Sequence, residues 1–502
     1  MNFPPGPEKI HPRLFLLPVL PFVFFFSHNI GQFMELIFTF KVLVLFFLYC
    51  LLAYVCFGLC KLFIKFTSLA LLTSTLINIV FLSYGQVQDA LFNISFLRLL
   101  SNSLVLLIIY TTSVLIIIFL VRKTQTRLFA INRFLLLLFS ILILYEAGRI
   151  GYKTIIGKSI SGIVKNTRSH ALDNTIPANN TLPDIYHILF DSYTNYPVMK
   201  EYWGYDNDIY SYLNSKGFYT IDSAISNYKS TPFSISSILN LEYLKGVDQF
   251  LVSTSSNFFL GQKIYKDNAL YKFLKKSNYK FSIFTQLEKK DMMLGLGFLG
   301  VQDQTYWLRT QTLERLYLNP WSLNKLKGNS NTQPASVIES MENFSRYNNE
   351  AIDHILNDCK KTPQNSPIFS FTHIMLPHDP YVHDENGNII KSAGPGGINM
   401  QGYLSQLKYS NKIIRQIIDC LLSDTSRNKI IILQGDHGYR HFSNAPLAKQ
   451  YGALNAFYFY NKDYSGLYKT MSNVNTYRIV INKFFNDNLP LLEDKTVLIK
   501  RE

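Results

Sequence analysis

The sequence predicts two parts: an N-terminal transmembrane bundle of five helices, then an α/β domain with a largely parallel central sheet flanked by helices. Three observations carry this. Up to about residue 150 the chain is dominated by long runs of Leu, Ile, Phe and Val, and beyond it by Tyr, Asn, Lys and Ser. After residue 183, short apolar runs alternate with amphipathic helical stretches, the pattern of strands joined by crossover helices. Two of the short runs end abruptly in a carboxylate, Asp184–Phe190 before Asp191 and Lys429–Gly435 before Asp436.

The bundle comes first. A helix needs about 20 apolar residues to cross a bilayer, and five segments approach that length: Leu14–Phe33, Leu36–Cys60, Phe66–Tyr84, Ser101–Val121 and Phe134–Gly148. Pro18 and Pro21 break the first, and the last is short. A cleavable signal peptide would account for the first segment alone. Lys9 and Arg13 precede the first span, Lys61 and Lys65 separate the second from the third, and Arg122, Lys123, Arg127 and Arg133 separate the fourth from the fifth. The loops between carry Glu35 in one case, Asp89 and Arg98 in the other. The positive-inside rule then places the N-terminus in the cytoplasm and, after five crossings, the outer domain beyond the membrane. The expected organisation is a transmembrane domain over 1–150, a juxtamembrane connector over 151–183 and an extracytoplasmic catalytic domain over 184–502. Lys41, Glu146 and Arg149 lie within or beside spans, as polar sites in the bundle or as snorkelling side chains.

Charge excludes a nucleic-acid partner. The net +15 divides into 11 Lys and Arg against 4 Asp and Glu before residue 151, mostly explained by topology, and a diffuse excess after it. No basic block appears; the excess suits an anionic lipid surface or phosphate-bearing substrates. Cys359 and Cys420 are the two cysteines of the outer domain, and a disulfide between them is permitted by the compartment but not specified by spacing.

In the outer domain, Asp184–Phe190 delivers Asp191 to the end of a strand. A helix near Asp208–Lys216 and a strand at Phe218–Ile221 follow, then Ser226–Asn240, where Thr231 precedes Pro232 and Ile235, Ile238 and Leu239 give an apolar face. Proline suits the first helical position, so Thr231 sits at a helix N-terminus, as an N-cap or as a hydroxyl beside an anion-binding helix end. Leu270–Lys276 reads as a helix, Tyr279–Thr285 as a strand and Asp291–Gln304 as a Gly-rich loop. Tyr306, Trp307, Tyr317 and Trp321 read as packing residues. A long helix over Ser336–Lys361 leads to the strand Pro367–Met375 with His373, read as a core or second-layer histidine. Then comes His378 between Pro377 and Pro380, placed to donate to a substrate or leaving-group oxygen. The helix Gly402–Ser423 precedes Gly435-Asp-His-Gly438, and a strand at Asn455–Tyr460 and a helix at Asn473–Phe485 close the domain. Asp436 and His437 on a Gly-flanked turn at the carboxyl end of a strand offer a hard and a borderline ligand to a divalent cation.

The ordered set of acid Asp191, hydroxyl Thr231, histidine His378 and pair Asp436-His437 resembles the alkaline phosphatase and sulfatase superfamily, over roughly Asp184 to Phe485. The closest likeness is to its membrane-bound branch of lipoteichoic acid synthases and phosphoethanolamine transferases, which also carry five spans before an extracytoplasmic domain. The resemblance implies that Asp191, Thr231, Asp436 and His437 hold one divalent ion, zinc or manganese, with a second ion not expected. It makes Thr231 the nucleophile and His378 a substrate-binding or acid residue; His441 and Asn227 are further candidate substrate contacts. Those transferases usually place Glu where this chain has Asp191. The Cys/Ser-x-Pro-x-Arg signature of formylglycine sulfatases is absent, and Asp379 and His383 read as a surface turn rather than ligands to a second ion.

The function this implies is a metal-dependent transferase of the bacterial cytoplasmic membrane, moving a phosphoethanolamine or phosphoglycerol type group through a phospho-threonine intermediate. Its donor would be a membrane phospholipid and its acceptor an envelope glycan or lipid. The alternatives are a sulfatase-like hydrolase of phosphodiesters, phosphonates or sulfate esters at the same site, and a non-catalytic lipid- or glycan-binding envelope protein.

Overall fold

The computed structural model describes residues 10–37, 40–121, 125–156, 182–245, 247, 254–288, 304–318, 335–360, 366–390, 400–441 and 446–498. The chain divides into two compact units, 1–159 with 302–334, and 160–301 with 335–502. Most of the expected connector and Gly-rich loop, and Trp321, lie outside the described residues.

The first unit holds a 3₁₀ turn at Pro12–Leu16 and helices Leu20–Ile37, Phe40–Phe63, Thr67–Asn93, Ser103–Val121 and Gln125–Ile156. The expected first span splits at Pro18: Pro12 opens the short turn, and Pro21 falls in the first turn of the helix that follows. Among the described residues four helices, covering Phe40–Phe63, Thr67–Leu91, Ser103–Leu120 and Arg127–Tyr152, are long and apolar enough to cross a membrane by length and composition. Leu20–Ile37, interrupted by Ser27, His28, Asn29, Gln32 and Glu35, is not one of them. Thr67–Leu91 is 67% buried and forms the middle of the unit, whereas Ser103–Leu120 is 6% buried and turns its Leu and Ile outward, as a lipid-facing helix does. Two buried amides of the unit reach backbone carbonyls: Asn78 donates to that of Pro18 (2.9 Å) and Asn132 to that of Ser68 (2.8 Å).

Residues 304–318 pack with this unit rather than with the sheet. Gly85 N–H donates to Gln311 O (2.8 Å), Leu313 N–H to Phe81 O (2.7 Å) and Tyr49 Oη to Glu314 Oε1 (2.9 Å). A Cβ at Gly85 would stand 2.2 Å from the Thr310 carbonyl, so only glycine admits that approach.

Among the described residues the second unit carries six strands: β1 (Asp184–Phe190), β2 (Tyr219–Thr220), β3 (Lys280–Phe284), β4 (Ile368–Ile374), β5 (Lys429–Gly435) and β6 (Asn455–Phe459). Their order is β2-β6-β5-β1-β4-β3. β5, β1, β4 and β3 run parallel, but β6 is antiparallel to β5 and β2 antiparallel to β6. The sheet is therefore mixed, a parallel core with an antiparallel edge, and not largely parallel throughout. Among the described residues no crossover helix lies between β5 and β6, only a loop and the 3₁₀ turn Leu447–Tyr451, and parallel neighbours are usually joined through a helix.

The pleat sorts side chains by parity. Ile188 and Phe190 of β1 with Ile431 and Leu433 of β5 pack under the long helices Ala335–Lys360 and Met400–Ser423. These two helices are joined by the Cys359–Cys420 disulfide, Cα to Cα 6.1 Å. Ile185, Leu189, Phe369, Phe371, Ile430 and Ile432 face the helices Thr231–Asn240, Ala269–Lys276 and Thr476–Phe484. Each such aliphatic or aromatic side chain contributes roughly 1.5–3 kcal/mol by its burial. The expected last helix begins three residues late, after a 3₁₀ turn at Asn473–Asn475.

Candidate active site and metal centre

Register assembles the site. β1 lies between β4 and β5, with Phe190 opposite Ile374 on one side and Gly435 on the other. Asp191 and Asp436, each one residue beyond its strand, therefore meet at the carboxyl ends of adjacent parallel strands. Parity puts Asp191, Asp436 and His373 on the sheet face that carries the helix Thr231–Asn240.

The turns are closely packed. Ser192 adopts φ +63° directly after Asp191, and its N–H donates to Asp436 Oδ1 (2.9 Å), as does the N–H of His437 (2.8 Å). A Cβ at Gly435 would lie 2.7 Å from Tyr193 O, and one at Gly438 2.3 Å from Gly452 O. The glycines flanking the Asp-His pair are needed for that approach.

Thr231 is the first residue of its helix, Ser230 is the N-cap, and Pro232 falls in the first turn. The Thr231 hydroxyl is thus not spent on capping. It lies 3.4 Å from Asp191 Oδ2 and 3.4 Å from His437 Nε2, while Ser234 one turn on donates to the Asp436 carbonyl (2.6 Å).

His437 Nδ1 donates to Gly438 O (2.8 Å), which leaves the Nε2 lone pair pointing inward. Nε2 stands 3.4 Å from both Asp191 Oδ1 and Asp436 Oδ2. His373 Nε2 is 3.4 Å from Asp191 Oδ2, and His378 Nε2 3.9 Å from Asp191 Oδ1. One ligand atom each from Asp191, His378 and His437 lie within 4.8 Å of one another, and so do atoms of Asp191, His373 and Asp436.

This donor set fits a divalent cation. Ligand atoms about 2 Å from a tetrahedral ion are roughly 3.3 Å apart, close to the separations here. Asp191 Oδ1, Asp436 Oδ2 and both ring nitrogens of His373 are buried without a hydrogen-bond partner, a costly state unless something else satisfies them. Electrostatics agree. Burial would raise the Asp191 carboxyl, but His378, His373 and His437 outweigh it and hold it below the usual range. Burial and then the Asp191 charge push Asp436 up to about 7. Burial and then Arg440 hold His437 well below the ordinary imidazole value. Two such carboxylates do not both ionise readily without added positive charge.

His373 is consequently not a satisfied core histidine. It faces Asp191, while Tyr347 Oη uses only its backbone carbonyl (2.8 Å). His378 lies beyond β4 with Nδ1 toward the Asp379 carbonyl; burial opposes its charge, but Asp191 and Asp379 lift it above the ordinary value. His441 is at the margin, Nε2 3.4 Å from Asp379 Oδ1. Asp379 therefore belongs with these two histidines, while His383 is buried apart, bonded to Ser345 (2.9 Å) and Gln406 (3.3 Å). Asn227 is not brought to the site: its side chain holds Val474 N–H (2.7 Å), Lys495 O (2.8 Å) and Tyr243 Oη (3.0 Å).

Sequence reasoning passed over Arg440. Its Nη2 lies 2.5 Å from His378 Nε2 and its Nη1 3.3 Å from Lys229 O. The signal was a cation three residues beyond His437, on the same turn.

No family model matches the chain, and no curated protein matches it in sequence. Solved structures do. The C-terminal periplasmic domain of EcEptC from Escherichia coli, also solved in complex with Zn, is similar at 13% identity, covering 62% of this chain and 84% of that one, TM-score 0.35. A protein in the alkaline phosphatase superfamily from Vibrio parahaemolyticus is similar at 14% identity, covering 66% and 76%, TM-score 0.36. The integral membrane protein lipooligosaccharide phosphoethanolamine transferase A from Neisseria meningitidis is similar at 12% identity, covering 94% of this chain and 95% of that one, TM-score 0.38.

Proposed function

We propose that the chain is a membrane-anchored, metal-dependent phosphotransferase. It would move a phosphoethanolamine or phosphoglycerol type group from a phospholipid to an envelope glycan or lipid, through a covalent intermediate on Thr231. The observation that carries this reading is the position of the Thr231 hydroxyl, 3.4 Å from both Asp191 and His437 at the N-terminus of a buried helix.

Asp191, Thr231, Asp436 and His437 would hold one zinc or manganese ion, with His373 against Asp191. When bound, such an ion supplies Lewis acidity, lowering the pKa of a coordinated hydroxyl and stabilising charge on the transferring group. The chain's own groups do the rest. The positive end of the helix dipole favours negative charge at Thr231. The Thr231 hydroxyl gives up its proton to solvent, its Oγ–P bond forms as the ester P–O bond to the lipid alcohol breaks, and the departing alkoxide takes a proton from His378 or water. An acceptor hydroxyl then attacks the phosphorus, loses its proton and restores Thr231. With water as acceptor the same steps amount to hydrolysis.

The domain carrying these residues, 184–502, would stand outside the cytoplasmic membrane, with five crossings before it and the N-terminus inside. The Cys359–Cys420 disulfide supports an oxidising compartment.

Purified full chain loaded with manganese or zinc should release diacylglycerol from phosphatidylethanolamine or phosphatidylglycerol. Thr231→Ala should lower that turnover by about 10³-fold or more and keep its metal. Unchanged turnover would remove Thr231 from the mechanism. Product masses with and without a lipid A or sugar acceptor separate transfer from hydrolysis.

A further inference from the structure

The helix that carries Thr231 has weak ends of its own. Ser230 is its N-cap but gives the first turn no side-chain hydrogen bond. Leu241 closes it in the left-handed region at φ +56°, where glycine is the favoured residue. Residues 226–230, which lead into it, form no regular element. The place of the Thr231 hydroxyl is therefore set from outside the helix.

One stretch of chain grips both ends. Residues 486–498 have no regular secondary structure, yet they are fastened to the helix Thr476–Phe484. Leu492 N–H donates to Asn475 Oδ1 (2.9 Å), Asn475 Nδ2 to Leu492 O (2.8 Å), and Leu489 is held in the same two-way manner by Asn482. Before the Thr231 helix, Asn227 Nδ2 donates to Lys495 O (2.8 Å) and Val497 N–H to Asn227 O (2.8 Å). After it, Tyr243 Oη donates to Glu493 O (2.6 Å) and accepts from Lys495 N–H (3.2 Å), while Arg478 joins Leu241 O (2.7 Å) to Pro490 O (2.6 Å). Asn227 Nδ2 also reaches Tyr243 Oη (3.0 Å), so the two grips meet.

Asn227 is where this anchorage reaches the nucleophile. It is 1% exposed, and its Oδ1 accepts from Val474 N–H (2.7 Å), so both ends of the amide are used. Asn475 and Asn482 fasten the same stretch on its far side, whereas Asn227 stands four residues before Thr231. We propose that Asn227 is a positioning residue for the reaction, and that through it and Tyr243 the stretch 490–497 holds the Thr231 hydroxyl against Asp191 and His437. The inference rests on the nucleophile reading of Thr231. Asn227 acts through Thr231 and not on the substrate, so its loss lowers kcat and leaves substrate and anion affinity alone.

The test uses full-length protein in detergent, loaded with zinc or manganese, with bis(p-nitrophenyl) phosphate as substrate and inorganic phosphate as competitor. Asn227→Ala should lower kcat by about 10–100-fold, the effect of misplacing a reacting group by about 1 Å. KM, the phosphate inhibition constant and metal content should stay within about twofold of wild type. Hydrogen–deuterium exchange should rise over 226–235 and not over β1 or β5. Tyr243→Phe keeps the ring and removes only the hydroxyl, and should lower kcat by about fivefold, the worth of one hydrogen bond. The double variant should lose less than the product of the two factors, because both act through one strap. Values of kcat within about twofold of wild type in both variants would overturn the proposal. So would a rise in KM or in the phosphate constant at unchanged kcat, which would make Asn227 a substrate contact. A fall in kcat that only tracks lost metal in Tyr243→Phe would overturn it in favour of general stabilisation. Wild-type protein that turns over no phosphate ester, while Asn227→Ala still loosens 226–235, would overturn the phosphotransferase reading and keep the strap.

Discussion

Glu146 in the membrane unit and the Asp191–Asp436 pair in the outer unit are all buried carboxylates, but they are treated differently. Glu146 is 2% exposed and has two partners from its own unit, His28 Nδ1 at 2.7 Å and Arg149 Nη2 at 2.7 Å. Arg149 also donates to the His28 carbonyl (3.0 Å), which closes the cluster. Asp191 and Asp436 are 1% and 0% exposed and have no Lys or Arg ion pair among the described residues. A buried charge with an internal counterion does structural work. Buried charges without one, ringed by imidazoles, make a site that is complete only when something positive enters it.

That contrast can be broken by experiment, and the largest effect belongs to the outer pair. Asp436→Asn or Asp191→Asn should abolish metal retention, measured by elemental analysis after desalting, and lower turnover by about 10³-fold or more. Retention of stoichiometric metal in either variant would contradict the ligand assignment.

Next comes stability against pH in chelated, metal-free protein. Asp436 is raised to about 7 in the folded state, against about 3.9 unfolded. The folded state thus binds the extra proton between these values, and the stability Asp436 contributes is full below about 4 and lost as pH rises through about 7. His437, His187 and His383, held below the ordinary imidazole value by burial, act in the opposite direction, so the readout is the difference in thermal midpoint between metal-free wild type and Asp436→Asn, which should shift against wild type as pH rises over that window. Adding zinc or manganese at neutral pH should restore several degrees by binding the folded state alone.

The membrane acid should respond in the opposite sense. Glu146→Gln removes the counterion of Arg149 and should cost about 1–3 kcal/mol of stability, less than a fully buried pair because Arg149 is a quarter exposed. Metal content should stay at the wild-type level. Loss of metal from this variant would show that the two clusters are not independent. The smallest expected effect on activity is that of Cys359→Ser with Cys420→Ser, which should cost about 2–4 kcal/mol with the wild-type metal content kept.

How much of this was legible depended on whether the signal was local. Asp191 and Asp436 could be read because an apolar run ending in a carboxylate marks a strand terminus, and Thr231 because Pro232 marks a helix start. Strand direction carries no such mark, so the antiparallel placement of β6 was missed. His373 could be read only as a core or second-layer histidine, because periodicity cannot tell one from the other; register decided it, bringing the ring to Asp191 on the neighbouring strand. Asn227 stands near Thr231 in sequence, yet its amide is consumed by residues about 250 positions away. The grouping of 304–318 with the membrane helices had no hydropathy signal, since it is made by backbone pairs at Phe81 and Gly85 and polar pairs at Tyr49 and Asp89. Arg440 was overlooked because one cation after a Gly-flanked Asp-His pair means little until His378 is seen beside it.

The central claim is that this ring of acids and imidazoles activates Thr231. The most direct measurement is the intact mass of the full chain, wild type and Thr231→Ala, after incubation with zinc or manganese and phosphatidylethanolamine or phosphatidylglycerol. The account predicts an added phosphoethanolamine or phosphoglycerol mass on wild type alone, with peptide mapping to Thr231. The same adduct on Thr231→Ala, or an adduct mapping elsewhere, would contradict it.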